Sequence, residues 1–297
     1  PDEGYARILS RTLIKTGEIT ALSYRCLDPS LVSKEIFQNV HSSILMSATL
    51  NPTEMYRKLL GLSQNTQALS LESPFPKDNR LSIAITKATT KFTKRTDEEY
   101  QKISSIIQSI FKSVRANSLV FFPSYAILER VRKILSKAPF GQDILYESQN
   151  MSKAQKESLV EEFKSHSRDG ALLFAVISGS FSEGIDLPGE LLQCVIIVGI
   201  PFGRPDLETK ELIKYYDENY GLGVFYGYIF PAMNKVIQAA GRCIRTENDR
   251  GAIIFLDERF SWKQYMQFFP KDWNVIVPSD YTTLLKDFFQ DHSILKN

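Results

Sequence analysis

Gln238, Gly241, Arg242 and Arg245 stand within residues 234–251, N-K-V-I-Q-A-A-G-R-C-I-R-T-E-N-D-R-G. Read as a helix, this stretch places the four at i, i+3, i+4 and i+7, on one face. Val236, Ile237, Ala240 and Ile244 fall mostly elsewhere and can face a core. The shared face then carries one amide and two guanidiniums, with the small residues Ala239 and Gly241 between them. Small residues let another body approach the backbone closely. A guanidinium stays charged and offers a planar fork of donors that matches phosphate oxygens. Two such forks one turn apart form a clamp for a polyphosphate. A solvated helix face with two ordinary arginines would carry the same residues, so the stretch gains its meaning from its company.

Three other stretches carry small hydroxyls or glycines. Ser47-Ala48-Thr49 puts two hydroxyls where a short strand, residues 43–46, is expected to end. Ser124 follows the apolar run at residues 118–122. Residues 178–189, S-G-S-F-S-E-G-I-D-L-P-G, hold Gly179, Gly184 and Gly189, with Ser180 and Ser182 between them. Glycines let backbone amides turn inward as an anion nest. Asp186 is then an acceptor for a ribose hydroxyl or an orienting partner for an arginine. A glycine-rich turn capped by Asp186 is the alternative.

The elements that must position these groups follow from periodicity. From Asp97 onward, helices at 97–114, 125–137 and 152–165 alternate with short apolar strands at 118–122, 143–146, 171–177 and 193–199. That pattern predicts a parallel sheet covered on both faces, whose ligands bind at the carboxyl ends of the strands. Ser124 and residues 178–186 sit at such ends. Further strands are expected at 81–86 and 252–256. A hairpin is expected from residues 5–14 and 18–26, with helices at 31–40 and 51–60. Proline-rich punctuation at 63–80 suggests a boundary between a first part, 1–68, and a second, 69–297. Residues 89–95 read as a basic, solvated loop. The aromatic run Tyr215, Tyr216, Tyr220, Phe225, Tyr226, Tyr228 and Phe230 reads as packing rather than base stacking. Residues 262–297 read as two helices around a strand-like 274–277.

Composition narrows the classes. The chain has 297 residues, 43% of them hydrophobic, which supports a sizeable core. A net charge of +2 excludes a general basic coat, so any nucleic-acid site must be a local groove. Cys26, Cys194 and Cys243 are too widely spaced for a disulfide scaffold or a zinc site. No apolar run reaches the ~18 residues of a membrane span. The expectation is a soluble intracellular protein, cytoplasmic, or nuclear if eukaryotic.

The four stretches, in this order, resemble motifs III, IV, V and VI of superfamily-two helicases. The S-E-G-I-D and Q-A-A-G-R-C-I-R forms are most similar to the XPD group of DNA helicases. Residues 22–30, L-S-Y-R-C-L-D-P-S, with 199–206 and 249–260, agree. The resemblance implies a RecA-like α/β domain preceded by a short remnant of a first motor domain. It implies the C-terminal motor half of an ATP-dependent, 5′ to 3′ helicase for DNA repair. Arg242, Arg245 and Gln238 would be catalytic. Glu183, Gly184, Asp186 and Gly241 would bind the nucleotide. Ser47, Thr49, Ser124, Ser178, Gly179, Ser180 and Ser182 would contact single-stranded DNA. The phosphate loop G-x-x-x-x-G-K-[ST] and an acidic pair for magnesium do not precede Ser47. ATP and magnesium would therefore be held mainly by an N-terminal half, the second partner, where an iron–sulfur cluster is also expected. No metal site is expected in this chain, and alone it should not hydrolyse ATP. Residues 252–258, A-I-I-F-L-D-E, imitate a Walker B strand but follow motif VI, so Asp257 and Glu258 read as a helix start. The rival readings are a DinG-like helicase and a nucleic-acid-binding module without ATPase activity.

Overall fold

Apolar runs with no polar alternation cannot leave one face wet, and in this chain they build a sheet buried on both sides. The computed structural model describes residues 3–14, 17–137, 144–181 and 186–290. It divides into two units, Pro1–Leu71 with Phe202–Ala232, and Glu72–Pro201 with Met233–Asn297.

The second unit carries the sheet. Its strands are β3 (Arg80–Ile85), β4 (Ser118–Phe122), β5 (Ile144–Tyr146), β6 (Leu172–Val176), β7 (Cys194–Val198) and β8 (Gly251–Leu256). Their order is β3-β8-β7-β4-β6-β5, every pairing parallel. Strands β4, β6, β7 and β8 are buried at every residue, as expected of strands covered on both faces. One core face joins Ile83, Val120, Phe122, Phe174, Ile196 and Ile254 to Ile103, Ile107 and Ile110 of helix α3 (Asp97–Val114) and to Leu128 and Val131 of α4 (Tyr125–Leu135).

Local signals set the helix ends. Thr96 caps α3 by accepting from the Glu99 amide, and Asp97, Glu98 and Glu99 complement the dipole of its first turn. Ser152 and Gln155 form a capping box on α5 (Lys153–Ser165). The strand-like stretch at 274–277 contributes one bridge to β3. The Ala84 amide donates to the Ile276 carbonyl at 2.8 Å, and the Ile276 amide to Ser82 at 3.2 Å. Helices α8 (Lys263–Met266) and α9 (Tyr281–Gln290) flank it.

The first unit opens with the expected hairpin, β1 (Tyr5–Ile14) against β2 (Gly17–Cys26), antiparallel throughout. Lys15 and Thr16 of its turn lie outside the described residues. Helices α1 (Ser30–Gln38), α2 (Thr53–Leu59) and α6 (Leu207–Tyr220) follow. Asp28, buried, accepts from the Ser30 amide and, at 2.8 Å, from the Tyr215 hydroxyl. Tyr215, Tyr216, Tyr220 and Tyr226 pack ring against ring, so the aromatic run serves packing as expected.

One expectation fails here. Residues 43–46 are neither a strand nor buried, and Ile44 and Met46 are 90% and 89% exposed. A strand needs a ladder partner for its amides and carbonyls. Among the described residues of this unit, β1 and β2 pair only with each other.

Candidate nucleotide and nucleic-acid site

Helix α7 (Phe230–Ala240) delivers the arginine segment. Val236, Ile237, Ala240 and Ile244 are buried as expected, and Gln238 is exposed. Ala239 is 1% exposed, so it faces the core and does not separate the arginines on an open face. The larger correction is that the helix ends at Ala240, well short of Gly251. The Gly241 amide still donates to the Ile237 carbonyl, at 2.9 Å. The Arg242 and Cys243 amides then reach back only three residues, to Ala239 and Ala240. Arg242 sits in this tightened last turn and Arg245 in the loop beyond it.

Asp249 explains the break. It is 4% exposed, and each oxygen takes two donors. Oδ2 accepts from the Arg245 amide at 2.7 Å and the Thr246 amide at 2.8 Å. Oδ1 accepts from the Thr246 hydroxyl at 2.8 Å and the Gly189 amide at 3.0 Å. Amides so captured cannot continue a helical ladder. Burial alone would raise this carboxyl's pKa, but the Thr246 hydroxyl and the three amides outweigh it and hold the group below its ordinary value. Gly189, at φ 62°, occupies the left-handed region that turns its amide toward the carboxylate without steric cost. One buried acid thus fastens the arginine loop to the end of the glycine-rich loop. Arg242 is half-buried and lines a small hollow with Leu119, Phe181, Leu187 and Leu192.

The glycine-rich loop leaves the end of β6. Ser178 is exposed at its lip, and Gly179 and Ser180 follow. The Ser180 amide and hydroxyl both donate to Glu147, each at 2.9 Å. Asp186 is exposed, whereas Ser182, Glu183 and Gly184 lie outside the described residues. Ser124 is half-buried at the start of α4, and its hydroxyl makes no capping bond. In the other unit, the Thr49 amide donates to the Ser47 hydroxyl at 3.2 Å, and the Thr49 carbonyl accepts from Tyr56 at 3.1 Å. Ser47 is exposed and Thr49 buried.

Residues 91–95 are exposed, as expected of a solvated loop, but the two threonines that open the stretch are not. Thr89 and Thr90 are 3% and 2% exposed because the buried Asp257 draws them in. Its oxygens accept from the Thr89 hydroxyl, the Thr90 amide and hydroxyl, and the Arg259 amide and guanidinium. Burial pushes Asp257 up, but the Arg259 fork and charge and the amides prevail and keep its pKa low. As expected, Asp257 starts a short helical turn, Glu258–Ser261.

Gln238 and Arg245 are exposed and Arg242 is half-buried, while Asp249 and Asp257 are buried and hold protein donors. Among the described residues no group of His, Cys, Asp and Glu could hold a metal ion. Sequence reasoning missed Asp249 and Glu147. The N-D-R-G turn was the available signal for the first, and nothing local marked the second.

A family model described as the helicase C-terminal domain matches residues 107–275, more than half of the chain. The match includes Ser124, the glycine-rich loop and the arginine segment; Ser47 and Thr49 lie before it. The chain is 28% identical over 285 residues to the general transcription and DNA repair factor IIH helicase subunit XPD/RAD3 of Saccharomyces cerevisiae, covering 89% of this chain and 36% of that protein. It is 31% identical over 238 residues to the ATP-dependent DNA helicase DinG of Photobacterium profundum, covering 77% of this chain and 33% of that one. A solved XPD helicase superposes with a TM-score of 0.66 at 27% identity, covering 83% of this chain and 44% of that chain. The chain thus spans about a third of the length of these curated relatives.

Proposed function

The chain belongs to the helicase C-terminal domain family, in the XPD-like branch of superfamily two, and on that premise we propose that it supplies the second motor half of an ATP-dependent, 5′ to 3′ DNA helicase serving DNA repair. The observation that carries the reading is the Asp249 junction, which joins the arginine loop to Gly189 at the far end of the glycine-rich stretch. A charge felt at Arg242 and Arg245 can then be passed to a loop at the strand ends, where a DNA backbone would lie.

In this reading Arg242, Arg245 and Gln238 face the phosphates, and Glu183, Gly184, Asp186 and Gly241 line the nucleotide. Ser47, Thr49, Ser124, Ser178, Gly179, Ser180 and Ser182 line the path of a single strand. An N-terminal motor half holds most of the ATP and magnesium and carries the iron–sulfur cluster. When bound, ATP supplies the transferable phosphoryl group; this chain's part is to meet spreading negative charge with fixed guanidinium forks. The helicase works inside the cell, in the cytoplasm or, in a eukaryote, the nucleus. Among the described residues no helix is long and apolar enough to cross a membrane. A DinG-like helicase is the second reading, supported by the 31% identity noted above.

The test uses the full-length protein. Arg242→Lys and Arg245→Lys keep the charge and lose the fork. Each is expected to lower DNA-stimulated ATP turnover by roughly 10³-fold or more with an unchanged melting temperature. Normally folded variants within about threefold of the parent would remove the arginine segment from the ATP site.

A further inference from the structure

Glu147, the residue after β5, is 1% exposed and takes no part in the phosphate contacts just described. Its Oε2 accepts from the Val176 amide at 2.9 Å, at the end of β6. Its Oε1 accepts from the Ser180 amide and hydroxyl, both at 2.9 Å. Its own amide donates to the Phe174 carbonyl at 2.7 Å. A Cβ on Gly179 would stand 2.5 Å from Oε2 and 2.6 Å from Oε1, so only glycine lets the loop close on the carboxylate. Tyr125, the neighbour of Ser124, meets the same group. Burial raises the Tyr125 phenol to about 12, and the charge of Glu147 and a hydrogen bond to it add to the shift.

One carboxylate therefore anchors the end of β6 and the glycine-rich loop. Both hydrogens that Ser180 can donate are spent on Glu147, which leaves none for a phosphate oxygen. Ser178 and Ser180 are both exposed, but only Ser180 has its donors committed to Glu147. We propose that Glu147 is a positioning residue for single-strand binding: it takes up both donors of Ser180, fixes the start of the glycine-rich loop, and thereby leaves Ser178 as the hydroxyl presented to the phosphate backbone. The proposal rests on the reading above and assigns Ser180 an indirect part in it.

The test measures ATP turnover of the full-length protein against single-stranded DNA concentration. Loop order is followed separately by hydrogen exchange over residues 176–181. Glu147→Gln turns one oxygen into an NH₂ that faces an amide donor. The half-saturating DNA concentration should rise about tenfold, as for the loss of one charge-assisted bond. Turnover at saturating DNA should fall by less than about threefold, since this is a binding effect. Ser180→Ala should raise half-saturation about threefold and add nothing in the Glu147→Gln background. Faster loop exchange with half-saturation within about twofold of the parent would mean a purely structural role and overturn the proposal. So would full additivity of the two substitutions. If Glu147→Gln does not fold, Ser180→Ala decides alone, and an unchanged half-saturation overturns it. A parent with no DNA-stimulated turnover would fail the parent reading, and this proposal with it, before any variant is made.

Discussion

Replacing Asp249 by asparagine should cut one bond of its junction and spare the others. Oδ2 faces two amide donors, from Arg245 and Thr246. Oδ1 faces one amide, from Gly189, and one hydroxyl, from Thr246. An asparagine NH₂ directed at Oδ2's partners would meet two hydrogens and lose both bonds. Directed at Oδ1's partners, it meets one hydroxyl that can rotate to accept. The second orientation wins. Asp249→Asn should therefore keep the Arg245–Thr246 turn and release Gly189. The lost bond ran from an amide to a charged acceptor, a contribution of ~1.5–3 kcal/mol. About 2 kcal/mol of local stability corresponds to roughly 30-fold faster exchange of the Gly189 amide. The assay is residue-resolved hydrogen exchange on the full-length protein, with Asp249→Ala, which loses all four bonds, as reference. The sign with pH follows from the depressed folded pKa. The carboxylate's stabilisation is complete above its unfolded value, about 4, and is lost as pH falls through the folded value. The parent's advantage over Asp249→Asn should be flat from about pH 6 to 8 and shrink below about pH 4. Gly189 remaining protected in the variant, or Arg245 and Thr246 exchanging as fast as Gly189, would refute the reasoning.

Two further outcomes are expected. Gly251→Ala places a Cβ 2.5 Å from the Cys243 sulfur and 2.8 Å from the Gln193 carbonyl, so thermal denaturation should show overpacking of ~1–3 kcal/mol, and an unchanged melting temperature would contradict the packing described at the start of β8. Asp257→Ala leaves the Arg259 guanidinium buried without its partner and should cost about 3–5 kcal/mol; because Asp257 is held below its ordinary pKa, the parent's advantage should fade as pH drops below about 4, and a variant as stable as the parent at neutral pH would show the pair to be inert.

The sheet was legible because its central strands are almost wholly apolar and alternate with helices, the pattern of a parallel sheet covered on both faces. The capped starts of α3 and α5 were legible because Thr96, Ser152 and Gln155 act on their own helices. What failed depended on distant partners. Residues 43–46 have the composition of a buried strand, but a strand is defined by its neighbour. The run G-R-C-I-R has no strong helix breaker apart from glycine, and it leaves the helix because Asp249 takes the amides of Arg245 and Thr246. Glu147 reads as an ordinary surface acid until Val176 and Ser180, some thirty residues later, are folded against it. The asymmetry is physical. A site that meets phosphate must show its arginines and hydroxyls to solvent, and such residues are visible in a sequence by type. The loops that carry them have backbone amides with no ladder to join, and buried amides need acceptors. Glu147, Asp249 and Asp257 supply these, each satisfying donors from more than one loop. The loops that carry the candidate site are thus scaffolded by buried acids. Charge counting does not reveal that arrangement, because a buried acid and a surface acid count alike.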